Sequence, residues 1–233
     1  MFGWLSVDNI AFTVIGYPMS YVELIGTILY LWSVWLIAKR RVLTWPVGIV
    51  SVLLYMVLFY QIRLYSDTAE QVYYLGASIY GWWAWNKSPK EQGQVTDISY
   101  SQPRLIFLWI LATVFVSVVV GVFMSQIHIL FPSVFPEAAS FPFLDALTTI
   151  MSFTAMWLMA RKKIESWIYW IIVDLIGIGL YFVKDVKFIS LLYILLLFIA
   201  INGLRSWKQT GKKLSFIRNG GQNPIPAKRS DKW

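Results

Sequence analysis

The chain has 233 residues, of which 58% are hydrophobic, 18% aromatic and only 14% charged, which is more apolar surface than a soluble core of this size can hide. It has no cysteine and one histidine, which excludes disulfides, thiolate nucleophiles, cysteine-bound metals and any site needing two imidazoles. The net charge of +8 comes from basic residues gathered at the ends of apolar stretches, a distribution that points to a membrane and away from nucleic acid.

Met1 to Gly16 has no basic leader and no small-residue cleavage site, so it reads as an outer, interfacial segment whose Phe2, Trp4 and Leu5 suit a helix lying on the bilayer. Seven stretches then reach the length needed to cross a membrane: Val22 to Ala38, Trp45 to Gln61, Ala69 to Trp85, Leu105 to Met124, Leu144 to Met159, Trp167 to Phe182 and Phe188 to Leu204. Short polar breaks separate them. Span four is nearly all Leu, Ile, Val, Ala and Phe, is expected to bury no polar residue, and reads as a linker facing lipid or a neighbouring subunit rather than as pathway lining. Ser125 to Phe143, with Pro132, Pro136 and Pro142, reads as an outer loop, and the lone His128 as one of its polar residues. Gln209 to Trp233 is basic, carries Gly220-Gly221, and is expected to be a disordered cytosolic tail.

With seven alternating spans, seventeen of the twenty Lys and Arg residues fall on one side and three, Arg63, Lys184 and Lys187, on the other. The positive-inside rule then places the N-terminus outside and the C-terminus in the cytosol.

A shift of 122 residues lays the chain on itself. Trp35 to Trp45 reads against Trp157 to Trp167 with four of eleven pairs identical, and the register holds from Glu23 against Asp145 to Trp85 against Trp207. Spans one to three and five to seven are therefore two copies of one unit, and span four restores parity so that both run in the same direction. The expected architecture is an all-α membrane protein in a 3+1+3 layout. Its segments are 1–16, the first unit 17–86, the connector 87–143, the second unit 144–208 and the tail 209–233.

Polar residues inside these spans are the candidates for function. Trp167, Trp170 and Asp174 lie on one face of span six, and at ~1.5 Å per residue Asp174 sits roughly 16 Å from the basic turn at Lys163, near the midplane. A carboxylate there costs several kcal/mol, as an order of magnitude, unless it has a partner or meets water, which marks it as functional. Gln71, Tyr74, Ser78 and Trp82 form a second polar face in span three. Trp45 is the counterpart of Trp167, while Gly48 replaces Trp170 and opens space. Tyr193 is the counterpart of Gln71, and Asn202 is a polar group expected to be buried near the inner end of span seven. Trp85 and Trp207 read as an interfacial aromatic belt. Glu23 and Asp145 head spans one and five as helix N-terminal charges. No phosphate-binding loop, metalloprotease motif or serine-hydrolase motif is present, so no catalytic residue, metal or cofactor is assigned.

Trp167-x-x-Trp170-x-x-x-Asp174, Trp45-Pro46-x-Gly48 and Gly81-Trp82-Trp83-x-Trp85 resemble the PnuC-type nicotinamide riboside transporters over about residues 17 to 210. The resemblance implies a SWEET-like layout, a homotrimer, and facilitated diffusion of nicotinamide riboside made one-way by a cytosolic kinase. Trp45, Gln71, Tyr74, Trp167, Trp170, Asp174, Tyr193 and Asn202 would bind the substrate. Thiamine, also an aromatic cation, fits the same residue types. An intramembrane enzyme pairing Asp174 with Glu70 is the alternative of a different class.

Overall fold

The computed structural model describes residues 5–14, 16–132, 138–183 and 187–218. Seven helices carry the fold: α1 (Tyr21–Ala38), α2 (Thr44–Gln61), α3 (Tyr65–Asn86), α4 (Pro103–Leu130), α5 (Pro142–Ala160), α6 (Ser166–Val183) and α7 (Lys187–Arg218). Six of them are long and apolar enough to cross a bilayer, all except α3, whose polar face lowers its hydropathy.

The ends obey local rules. Ser20 caps α1 by accepting from the Glu23 amide at 3.3 Å, and Pro103 and Pro142 open α4 and α5, where a missing amide proton costs nothing. The Glu23 carboxylate accepts from Tyr17 at 2.8 Å.

The duplication is visible hydrogen bond by hydrogen bond. At the end of α1, Arg40 adopts φ 56° while the Arg40 and Arg41 amides return to the Ile37 and Leu36 carbonyls at 2.9 and 3.0 Å. At the end of α5, Lys162 adopts φ 61° and the Lys162 and Lys163 amides return to Met159 and Leu158, both at 2.9 Å. Each is a Schellman cap built on a basic residue in the left-handed region, a conformation that more often falls to glycine.

Packing joins the helices into a ring. Neighbours in order are α1, α2, α3, α5, α6 and α7, and α7 closes back onto α1; α4 lies outside and packs on α5. Span four is thus not purely lipid-facing, which corrects the sequence reading. Its Thr113, Ser117 and Gly121, one turn apart, are buried; the Thr113 and Thr154 hydroxyls meet at 3.1 Å, and Phe143 fills the space beside Gly121. Small residues at this spacing let two helix backbones approach, a pattern hidden in a run read only for hydropathy.

Four other expectations change. Residues 10–20, before α1, form a hairpin of β1 (Ile10–Val14) and β2 (Tyr17–Ser20) rather than part of an interfacial helix, with Gly16 at φ 79°; Phe2 and Trp4 fall in residues 1–4, which lie outside those described. His128 belongs to the last turn of α4, because that helix outlasts the apolar run. The tail is helical as far as Arg218, an extension of α7, and residues 219–233 lie outside those described. Trp85 and Trp207 are fully buried and form no belt.

Between α3 and α4, residues 87–102 form a strap that includes a small hairpin, β3 (Lys90–Glu91) and β4 (Gln94–Val95). The Val95 amide donates to the Arg40 carbonyl at 3.0 Å and the Ser99 amide to the Lys162 carbonyl at 3.2 Å. One strap therefore ties the equivalent basic turns of both units at one end of the molecule, here termed the basic end.

Candidate substrate site

Inside the ring, each of the six helices contributes one polar residue to a common cluster. Tyr30 of α1 lies within electrostatic reach of Tyr55 of α2, Tyr74 of α3, Asp174 of α6 and Tyr193 of α7, and Tyr74 lies beside Ser152 of α5. Residues from every ring helix can be mutual neighbours only at the centre. Asp174 is 3% exposed and has no cationic partner among the described residues; the ion pair of Lys162 with Asp97, at 2.7 Å, lies at the basic end, where it joins the strap to the turn after α5. The expected buried carboxylate is found, and it faces hydroxyls rather than a counter-ion.

Of the residues expected at the site, Tyr74, Asp174 and Tyr193 belong to this cluster. Tyr193 stacks on Tyr181 at 5.5 Å, and its ring occupies the space a Cβ at Gly177 would need, so Gly177 serves packing. Gln71 is half-buried one turn before Tyr74. Trp170 is also half-buried; it packs against an apolar cluster that contains Trp45, Trp85, Trp167 and Trp207 and against a second that contains Ala155, Tyr169 and Val173, and along α6 it lies between Trp167 and Asp174.

Trp45 and Trp167 take a different position. They are 2% and 1% exposed, and their rings lie where a side chain on Gly81 or Gly203 would be, at 2.4 and 2.6 Å from the ideal Cβ. Trp45 meets Trp85 edge-on at 5.4 Å, Trp167 meets Trp207 at 5.6 Å, and Trp85 meets Trp207 at 5.8 Å. The Trp85 indole donates to the Ala160 carbonyl and the Trp207 indole to the Ile37 carbonyl, each at 3.1 Å. Those acceptors lie in the last turns of α5 and α1, and the Ile37 carbonyl takes the indole as a second donor beside the Arg40 amide. The four indoles close the ring at the basic end beneath the strap, so two expected wall residues instead form a floor.

Asn202 corrects the sequence reading. It is exposed, and its amide donates to the Phe198 carbonyl of its own helix at 2.9 Å, which removes it from the centre. The residues missed were Tyr30, Tyr55 and Ser152. Tyr30 and Ser152 are counterparts under the repeat, and Tyr30 lies in the middle of its helix rather than at an interface, which was the available signal.

At the opposite end, Asp67, Glu70 and Asp145 all lie within electrostatic reach of Tyr181, and Thr149 donates to Glu70 at 3.1 Å across the two units. Three carboxylates thus gather at this end among the described residues, here termed the acidic mouth. At the basic end, Arg40 donates to the Ser206 hydroxyl at 2.9 Å and to Gln94, and burial draws its pKa below the usual guanidinium value without discharging it.

Residues 20–209 match the family described as Nicotinamide mononucleotide transporter. The nicotinamide riboside transporter PnuC of Escherichia coli is 32% identical over 215 residues, covering 85% of this chain and 89% of the relative. The riboflavin/roseoflavin transporter RibM of Streptomyces davaonensis is 27% identical over 205 residues, covering 88% and 91%. A solved structure, the crystal structure of the vitamin B3 transporter PnuC, shares the fold with a TM-score of 0.63 at 22% identity, covering 83% of each chain. The enzyme alternative is thereby overturned, since this is a family of transporters. The chain is a multi-pass membrane protein and belongs to the PnuC-type nicotinamide mononucleotide transporter family.

Proposed function

We propose that the protein carries nicotinamide riboside through the cytoplasmic membrane by facilitated diffusion, with a cytosolic nicotinamide riboside kinase making uptake one-way. The observation that carries this reading is the buried Asp174, without a cationic partner among the described residues, within electrostatic reach of Tyr30 and Tyr193 and one turn of α6 from Trp170. Nicotinamide riboside is a flat cation with a carboxamide and a ribose. An indole face attracts its ring, a carboxylate offsets its charge or accepts from ribose hydroxyls, and Gln71 and Tyr74 are suited to the remaining polar edges. Trp45 and Trp167 act as the floor on which the substrate rests.

In this reading all seven helices span the membrane, α3 included, since its polar face turns inward. The two three-helix units, 17–86 and 144–208, run parallel, with the connector 87–143 between them and segments 1–16 and 209–233 outside. The basic end faces the cytosol and the acidic mouth the exterior. Rocking of the two units about the substrate would open the tryptophan floor and close the mouth. Three copies form the homotrimer, and no cofactor takes part.

Purified protein in liposomes is expected to exchange labelled nicotinamide riboside with neither ATP nor an ion gradient. Competition with unlabelled thiamine and riboflavin separates the related readings. Stronger competition by either than by nicotinamide riboside itself would replace the substrate named here while leaving the site in place.

A further inference from the structure

At the basic end of the first unit, away from the central cluster, an open cleft of about 690 Å³ is lined by Trp35, Lys39, Arg41, Leu43, Lys90 and Gly93 among others, with no acidic side chain in its wall. Arg41 lies against Gly93, whose φ of +73° and lack of a side chain admit the guanidinium: a Cβ there would meet Nη1 at 2.6 Å. Trp35 and Leu43 are half exposed, and Trp35 ends a stripe of exposed apolar residues, Tyr21, Ile25, Ile28 and Trp32, running down one face of α1. Three cations thus gather at the end of an apolar track one helix long.

The second unit shows what the same place looks like when it is filled. There Trp157 stacks on Tyr80 at 5.1 Å, the Arg161 guanidinium lies 5.8 Å from the Trp157 ring, and Lys163 donates to Ser99 at 3.1 Å. Glu165, the counterpart of Leu43, is buried and accepts from the Ser101 amide at 3.1 Å. A buried acid and the Tyr80 ring occupy that copy, whereas in the first copy strap residues Lys90, Gly93 and Gln94 line an open cleft.

We propose that the cleft of the first unit binds the phosphate headgroup of an anionic phospholipid, with an acyl chain laid along the exposed face of α1. Arg41 offers a planar fork to the phosphate oxygens, Lys39 and Lys90 add charge, and Trp35 sits at the headgroup level that indoles favour. The apolar track distinguishes a lipid from a free anion. The inference does not depend on the transported substrate.

The test is native mass spectrometry of the detergent-purified protein equilibrated with phosphatidylglycerol or phosphatidylcholine. We expect one phosphatidylglycerol per chain to survive conditions that strip phosphatidylcholine. The triple variant Lys39→Gln, Arg41→Gln, Lys90→Gln should lower its retention by about tenfold or more, and the equally charged control Arg104→Gln, Lys208→Gln, Lys213→Gln should keep it. Leu43→Glu, which copies the acid of the second unit at an exposed position, gives an independent variant that should also expel the lipid. Equal loss in the control, no selective retention by the native chain, or displacement by inorganic phosphate at millimolar concentration would overturn the proposal. So would a triple variant that loses its oligomeric state while the native protein carries no lipid, since the face would then be an interface between copies.

Discussion

At the residue scale the decisive group is Asp174, buried near Tyr30 and Tyr193 with no cation beside it among the described residues. A hydrogen bond to a charged acceptor is worth about 1.5–3 kcal/mol and a neutral one about 1 kcal/mol. Asp174→Ala should therefore weaken nicotinamide riboside binding by about ten- to a hundredfold, and Asp174→Asn by about tenfold or less, as read by ligand-induced thermal stabilisation and liposome exchange. Wild-type exchange in the alanine variant would dismiss the site. Tyr30→Phe, which removes one hydroxyl from the cluster, should cost several-fold in affinity and leave stability near that of the native chain, at about 1 kcal/mol per neutral hydrogen bond. Asp174 was legible in the sequence because a carboxylate inside an apolar run has few explanations. Tyr30 and Tyr55 were not, because tyrosine also decorates membrane interfaces and its depth becomes telling only once the ring closes around it. Asn202 misled for a similar reason: an amide in a span can satisfy itself on the preceding turn of its own helix.

At the scale of elements, hydropathy located all seven helices to within a few residues at most ends, since bilayer thickness dictates length. It failed where other forces decide. The Ile10 to Ser20 hairpin rests on strand alternation about Gly16, and the contact of α4 with α5 rests on Thr113, Ser117 and Gly121, three small residues with no hydropathy signature. The buried Trp85 and Trp207 were mistaken for a belt because composition cannot tell an indole at a headgroup from one in a core. The glycines Gly81 and Gly203, which admit the partner rings of Trp45 and Trp167, were the overlooked clue. A methyl at either site would overlap an indole, and overpacking of this kind costs about 1–3 kcal/mol. Gly81→Ala and Gly203→Ala should each lower the apparent melting temperature by several degrees, and by similar amounts, given that the two sites are copies. A neutral effect at one alone would show that the copies have diverged energetically.

For the whole molecule, the strap at 87–102 is the element that binds both units at the basic end, through Arg40 in one and Lys162 in the other. If the units must separate there during transport, fixing the strap stops them. Ser99 and Lys163 are bridge partners, so their backbones lie within the span a disulfide can cover, and the chain has no other cysteine to interfere. Ser99→Cys with Lys163→Cys is expected to lose exchange on oxidation and regain it with reductant, while either single variant stays active. Undiminished exchange in the oxidised pair would mean that the strap moves with the second unit. The tryptophan floor has a consequence of its own. Four indoles with ring centres 5.4 to 5.8 Å apart in the linked pairs form a chiral, electronically coupled chromophore, and prising the floor apart breaks the Trp85–Trp207 link that joins its two halves. If the proposed rocking opens the floor, the unlabelled protein should report it as a change in the near-ultraviolet circular dichroism band when substrate is added; an unchanged band would mean that the floor stays closed.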